Sequence, residues 1–145
     1  MTTALSPDPH ALARLHARCF TRPPPWTEAE IASTLGAVGS FLLTEPQGFL
    51  LGRALAGEAE LLTLAVAPEA RRQGTGQRLL AAFARACQDR RADTAFLEVA
   101  QDNLAARRLY SRAGWLEAGV RRRYYGPATD AIVMRLTLRA TQEGG

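Results

Sequence analysis

Residues 64–80, Leu-Ala-Val-Ala-Pro-Glu-Ala-Arg-Arg-Gln-Gly-Thr-Gly-Gln-Arg-Leu-Leu, constrain this chain more than any other stretch. An apolar run stops at Pro68. A basic loop carrying Gly74 and Gly76 follows. Leu79, Leu80, Phe83, Ala84 and Cys87 then recur at the spacing of an amphipathic helix. The order is strand, glycine loop, helix N-terminus. Such a loop presents free backbone N–H groups at the positive end of a helix dipole, where a phosphate or pyrophosphate can sit. Gly74 and Gly76 put no Cβ in the way of that anion. The plainer alternative is a surface turn that only caps the helix.

Two familiar phosphate loops are excluded. A Walker loop ends in Gly-Lys-Ser/Thr, and all 18 basic residues here are arginine. A dinucleotide fingerprint needs a third small residue where Leu79 stands. What remains is Arg71-x-x-Gly74-x-Gly76 after a strand ending in Val-x-Pro. This resembles the acetyl-coenzyme A pyrophosphate loop of the GCN5-related N-acetyltransferases. The resemblance implies that Arg71, Arg72, Gln73, Gly74, Thr75, Gly76 and Gln77 hold the cofactor's pyrophosphate. It also implies that the main chain of Leu64, Ala65 and Val66 pairs with the pantetheine arm as an added strand would.

At 145 residues the chain suits one domain, and with 47% apolar residues it can bury a core. No apolar run reaches the roughly 20 residues of a membrane span. Met1 to His10 lacks a basic start and a long apolar region, so no signal peptide and a cytoplasmic location are expected. Cys19 and Cys87 fall on apolar helix faces and read as buried reduced thiols. His10 and His16 have no cysteine partners, so no metal site is expected. The absence of lysine excludes Schiff-base chemistry on a lysine. The net charge of +4 and the arginine clusters at 71–72, 90–91, 107–108 and 121–123 fit a solvated face, a nucleic-acid footprint or an acidic partner equally.

In chain order, Asp8 to Phe20 reads as a helix with proline at its first turn, broken by Pro23-Pro24-Pro25-Trp26. Thr27 and Glu30 form a capping box for a second helix, ended by Gly36 and Gly39. Phe41 to Thr44, Gly48 to Leu55 and Ala59 to Ala67 read as an antiparallel meander joined by tight turns. The glycine helix runs to about Arg91. Thr94 to Ala100 is a strand, and Asn103 to Ala113 a helix stopped by Gly114. Trp115 to Tyr125 and Ala131 to Leu138 form a closing hairpin, and Ala140 to Gly145 a frayed tail. The expected class is α+β: one domain over residues 1–145, with a mixed, mostly antiparallel sheet and helices on both faces. The strands flanking the glycine helix can lie parallel through that crossover.

The second half extends the resemblance. Phe96-Leu97-Glu98-Val99, then Asn103-x-x-Ala106-x-x-Leu109-Tyr110-x-x-x-Gly114-Trp115, follows the acetyltransferase pattern. Arg122-Arg123-Tyr124-Tyr125 followed by Asp130-Ala131-Ile132-Val133-Met134 resembles a narrower branch, the bacterial ribosomal-protein-alanine N-acetyltransferases. The match covers about Ala59 to Leu136. The first fifty residues match loosely.

The implied reaction is attack of an amine on the acetyl thioester through a tetrahedral intermediate. The resemblance carries the general base onto Glu98 and the general acid for the departing thiolate onto Tyr110. A carboxylate in the middle of a strand is costly unless it faces a polar cleft, and Phe96 and Glu98 would share one face. Glu98 read as an arginine's salt-bridge partner, and Tyr110 read as a core aromatic, are the plainer alternatives. Glu60, at the head of the strand before the glycine loop, is a rival base or a substrate contact. Asn103 caps its helix and by resemblance also reaches the cofactor. Tyr124 and Tyr125 alternate sides, so one of them faces the substrate.

The resemblance implies acetyl-coenzyme A as co-substrate and a protein N-terminus, of a ribosomal protein, as partner. It requires no membrane and no direct nucleic-acid contact. An α-amino group, with pKa about 7.7–8.0, is partly neutral near pH 7, whereas a lysine, about 10.4, is not. A single carboxylate acting through water therefore suffices for an N-terminus. The competing readings are acetylation of a lysine or small amine, an acyl-coenzyme A binding module without chemistry, and a basic nucleic-acid binder.

Overall fold

A computed structural model describes residues 7–20, 24–124 and 129–138. Helices α1 (Pro9–Cys19) and α2 (Glu28–Leu35) precede strands β1 (Ser40–Glu45), β2 (Gly48–Leu55) and β3 (Glu58–Val66). A 3-10 turn, Pro68–Ala70, leads to α3 (Thr75–Asp89), β4 (Thr94–Ala100), α4 (Leu104–Arg112), β5 (Leu116–Arg121) and β6 (Ala131–Thr137). One six-stranded sheet runs β1-β2-β3-β4-β6-β5, and only the β3–β4 pairing is parallel. The expected mixed α+β sheet is therefore present. The frayed tail expected from Ala140 lies outside the described residues, as does Tyr125.

Local chemistry accounts for the elements. Thr27 Oγ1 accepts from the Glu30 N–H at 3.1 Å and Glu30 Oε1 accepts from the Thr27 N–H at 2.8 Å, closing the capping box of α2. The β2–β3 turn places Ala56 and Gly57 at φ 57° and 87°, the two left-handed residues a tight hairpin turn needs. Each sheet face then buries its own core. On one face Phe41, Leu50, Leu61, Leu79, Leu80, Phe83, Leu97, Val99, Tyr110 and Trp115 pack under α3 and α4. On the other, Leu12, Leu15, Ile31, Phe49, Leu51 and Ala65 pack under α1 and α2. Complete burial of a side chain such as Phe83 contributes about 1.5–3 kcal/mol.

Two irregularities position the site. Thr63 faces Leu51 and Leu61 faces Gly52, so Leu62 is an extra residue, a β-bulge. Without it Leu61 and Thr63 would share a face. With it, Leu61 joins the α3-side core and Thr63 turns to α1. The second irregularity lies between β3 and β4. They pair only at Glu58–Thr94, Ala59–Ala95 and Glu60–Phe96. Beyond Glu60, β3 stays with β2 as far as Val66, while β4 stays with β6 as far as Ala100. The sheet thus parts in the middle. No helix among the described residues is long and apolar enough to cross a membrane.

Candidate active site

The parting of β3 and β4 opens a cleft of about 980 Å³. Leu61–Leu64 and Val66 line one wall and Leu97–Ala100 the other, with the glycine loop, Asn103, Leu109, Tyr110 and Tyr124 completing it. The edge of β3 facing β4 has no strand beside it past Glu60, so an extended arm can lie there as a strand would.

The loop has a backbone geometry that can receive an anion. Arg72 and Gly74 both sit in the left-handed region, at φ 66° and 82°. Left-handed residues just ahead of a helix N-terminus can turn successive N–H groups toward one side. Arg78, from the first turn of α3, braces the loop: Nη1 donates to Gln73 O at 3.1 Å, Nη2 to Thr75 Oγ1 at 3.2 Å and Nε to Glu45 Oε1 at 2.9 Å. Arg71, Arg72, Gly74, Thr75, Gly76 and Gln77 line the cleft. The side chains of Gln73 and Ala65 do not: Gln73 donates to Glu69 O at 3.3 Å, and Ala65 is buried against α1 and α2. Gly76 has a further job, since a Cβ there would stand 3.0 Å from Leu109 Cδ2, where α4 packs on α3.

Gly74 is accordingly the cleaner test of the loop. A Cβ at Gly74 would lie 3.0 Å from Arg78 Nη1, and a branched residue is strained at its positive φ. Gly74→Val is expected to weaken coenzyme A binding about tenfold or more by calorimetry, with the fold retained. Unchanged affinity would remove the loop from the binding site.

Two carboxylates stand where the strands part. Glu60 is the last residue of β3 paired with β4, opposite Phe96, and Glu98 lies two residues further along β4. Leu97 and Val99 are buried in the α3-side core, so Phe96 and Glu98 share the opposite face with Glu60. Burial, then the neighbouring Glu98 charge, push the Glu60 carboxyl up, and Arg53 partly offsets them. Glu98 Oε2 accepts from Arg121 Nη1 at 2.6 Å, so the salt bridge anticipated as its plainer role is present and ties it to the end of β5. The Arg121 guanidinium also lies over the Tyr124 ring, 4.2 Å from its centroid. Tyr110 is both core and cleft: it packs against Trp115, ring centroids 6.2 Å apart, and lines the opening. Asn103 caps α4, its Oδ1 accepting from the Ala106 N–H at 3.2 Å, and lines the cleft too.

The two thiols differ, correcting the expectation that both are core residues. Cys87 is buried, and burial pushes its pKa up to about 12. Cys19 is half-buried on the cleft wall, where its Sγ donates to Val66 O at 3.2 Å.

Sequence reasoning missed several lining residues. Arg108 and Arg112 project into the cleft from one face of α4, and their i, i+4 spacing was the available signal. Phe20, Trp26, His16 and Thr63 line it from the α1 side. His16 Nε2 lies 2.8 Å from Thr63 Oγ1, and Nδ1 accepts from the Trp26 N–H at 3.1 Å. Nothing local in the sequence places His16 beside a residue 47 positions away.

A mixed sheet that parts beside a glycine loop at a helix N-terminus, with carboxylates and a tyrosine along the opening, defines a coenzyme A-dependent acyltransferase architecture. Residues 8–115 match the acetyltransferase (GNAT) family profile. The chain is 37% identical to the [ribosomal protein bS18]-alanine N-acetyltransferase of Escherichia coli K12, over 94% of this chain and 93% of that one. It is 36% identical to the N-alpha-acetyltransferase RimI of Mycobacterium tuberculosis, over 88% of this chain and 85% of that one. The crystal structure of the ribosomal-protein-S18-alanine N-acetyltransferase from Escherichia coli superimposes with a TM-score of 0.84 and 32% identity, covering 95% of this chain and 94% of that one. The chain belongs to the GNAT acetyltransferase family and is an N-acetyltransferase using acetyl-coenzyme A.

Proposed function

We infer that this enzyme acetylates the α-amine of a protein N-terminus, the N-terminal alanine of a ribosomal protein. The observation that carries this is 37% identity, along 94% of the chain, to an enzyme named for the alanine of ribosomal protein bS18. The cytoplasm, where ribosomal proteins are made, is the expected compartment.

Acetyl-coenzyme A supplies the acetyl group as a thioester; the amine lone pair attacks its carbonyl carbon and the coenzyme A thiolate leaves. The Arg71–Gln77 loop holds the pyrophosphate, the open edge of β3 at Leu64–Val66 holds the pantetheine, and Asn103 supports it from the head of α4. Glu98 takes the proton that the amine loses as its bond to the acyl carbon forms, directly or through one water. Tyr110 returns a proton to the sulfur as the carbon–sulfur bond breaks. Glu60 keeps a second carboxylate beside the entering amine. Its raised pKa keeps part of it protonated to higher pH than an ordinary glutamate, which limits charge repulsion with Glu98. Tyr124 lines the cleft, with the Arg121 guanidinium over its ring.

Purified protein with acetyl-coenzyme A and a panel of peptides differing in their first residue tests the reading. Mass spectrometry is expected to place the acetyl group on the α-amine of the alanine peptide. A lysine side chain in a peptide with a blocked N-terminus is expected to react at least about a hundredfold more slowly, because so little of it is neutral near pH 7. Preference for the lysine peptide would overturn the assignment.

A further inference from the structure

His16 and Thr63 take no part in the proton transfers, yet they form part of the cleft wall. The hydrogen bonds of His16 settle its tautomer. A main-chain N–H only donates, so Nδ1, which receives the Trp26 N–H, carries a lone pair. Burial lowers the His16 pKa to about 4, so the ring is neutral at working pH and its one proton sits on Nε2. Nε2–H therefore donates and Thr63 Oγ1 accepts, at 2.8 Å. The Thr63 hydroxyl hydrogen cannot point back at an N–H, and among the described residues His16 is its hydrogen-bond partner. It is left as a donor for whatever enters the cleft.

Its position gives that donor a target. Thr63 pairs opposite Leu51 and Glu60 opposite Arg53, two residues apart on β2, so both side chains rise from one sheet face. Phe96 and Glu98 share that face across the parting. The hydroxyl therefore stands on the side of the sheet where the amine must meet the carboxylates. Stacking on Phe20, ring centroids 4.1 Å apart, fixes the plane of the imidazole. One ring thus ties α1, the Trp26 segment and the bulged part of β3 together.

We propose that His16 is a positioning residue for the protein substrate, holding the Thr63 hydroxyl as a one-way donor to the first main-chain carbonyl of the entering N-terminus. This rests on the N-terminal reading above and deepens it. An α-amine always has a carbonyl two carbons away, whereas a lysine amine or a simple alkylamine has none within reach. A donor at Thr63 separates these classes by pairing with the carbonyl of the first and leaving the others uncompensated.

The test compares an alanine-starting peptide with a carbonyl-free alkylamine as acceptors, for wild type, Thr63→Val, Thr63→Ser and His16→Asn. Thr63→Val keeps the shape and removes the donor. His16→Asn keeps an acceptor for the Trp26 N–H and loses contact with Thr63. The KM for the peptide is expected to rise about tenfold in Thr63→Val with kcat and the acetyl-coenzyme A KM little changed, and Thr63→Ser to restore it. His16→Asn is expected to raise the same KM, and the double variant to be no worse than Thr63→Val alone, because the two act through one hydroxyl. The alkylamine should not distinguish the variants beyond twofold. An unchanged peptide KM in folded Thr63→Val, or an equal rise for both acceptors, would overturn the proposal while leaving N-terminal acetylation intact. A wild type that acetylates the alkylamine and not the peptide would overturn both.

Discussion

Glu98→Gln is expected to lower turnover on an alanine-starting peptide by about 10²–10⁴-fold, the usual contribution of a general base. Its effect on coenzyme A affinity is expected to be small. The salt bridge to Arg121 makes this substitution decisive. If Glu98 only anchors the end of β5, glutamine still accepts the Arg121 hydrogen bond, and the rate should hardly move. The pair cannot carry a large stability effect either. The Arg121 side chain is 55% exposed, and an ion pair so open to water contributes about 0–1 kcal/mol. A rate loss with an unchanged melting temperature therefore reports proton transfer. Glu60→Gln is the control. If it is inactive while Glu98→Gln keeps near-full turnover, the base is Glu60, whose raised pKa suits it to hold a proton near the reaction.

Tyr110→Phe is expected to cut turnover about a hundredfold, the lower end of the range for acid–base groups. A thiol is acidic enough, about 8.5 for a cysteine side chain, to depart partly unprotonated, so water can replace some of the lost acid. The ring is retained, and with it the contact to Trp115 and the α3-side core, so stability and acetyl-coenzyme A affinity should stay near wild type. Steady-state turnover with the thiol product followed directly is the measurement. A variant within about twofold of wild type would return Tyr110 to the core alone.

Much of the fold was legible because it is local. The Thr27–Glu30 box, the Ala56-Gly57 turn and the strand Thr94–Ala100 depend on residues within a few positions of one another. The alternation of Leu97 and Val99 against Phe96 and Glu98 also appears as read, since a strand's pleat has a period of two. The glycine loop was legible for the same reason: its left-handed residues and the helix behind it are contiguous.

What was not legible depends on partners far apart in the chain. The number of residues over which β3 and β4 pair is decided by which outer strand each follows, and three pairs then an opening cannot be read from either strand alone. The bulge at Leu62 exists only as a mismatch with β2, yet it turns Thr63 toward α1. Cys19 reads as a core thiol from its helix face, but the cleft runs past that face. The strand edges, helix caps and turn chemistry were set by the residues themselves, through backbone sterics and hydrogen bonds formed within a few positions. The cleft, the meeting of Glu60 with Glu98, and the His16–Thr63–Trp26 contacts were decided by tertiary packing, because each joins elements whose approach depends on how two cores fill on opposite faces of one sheet.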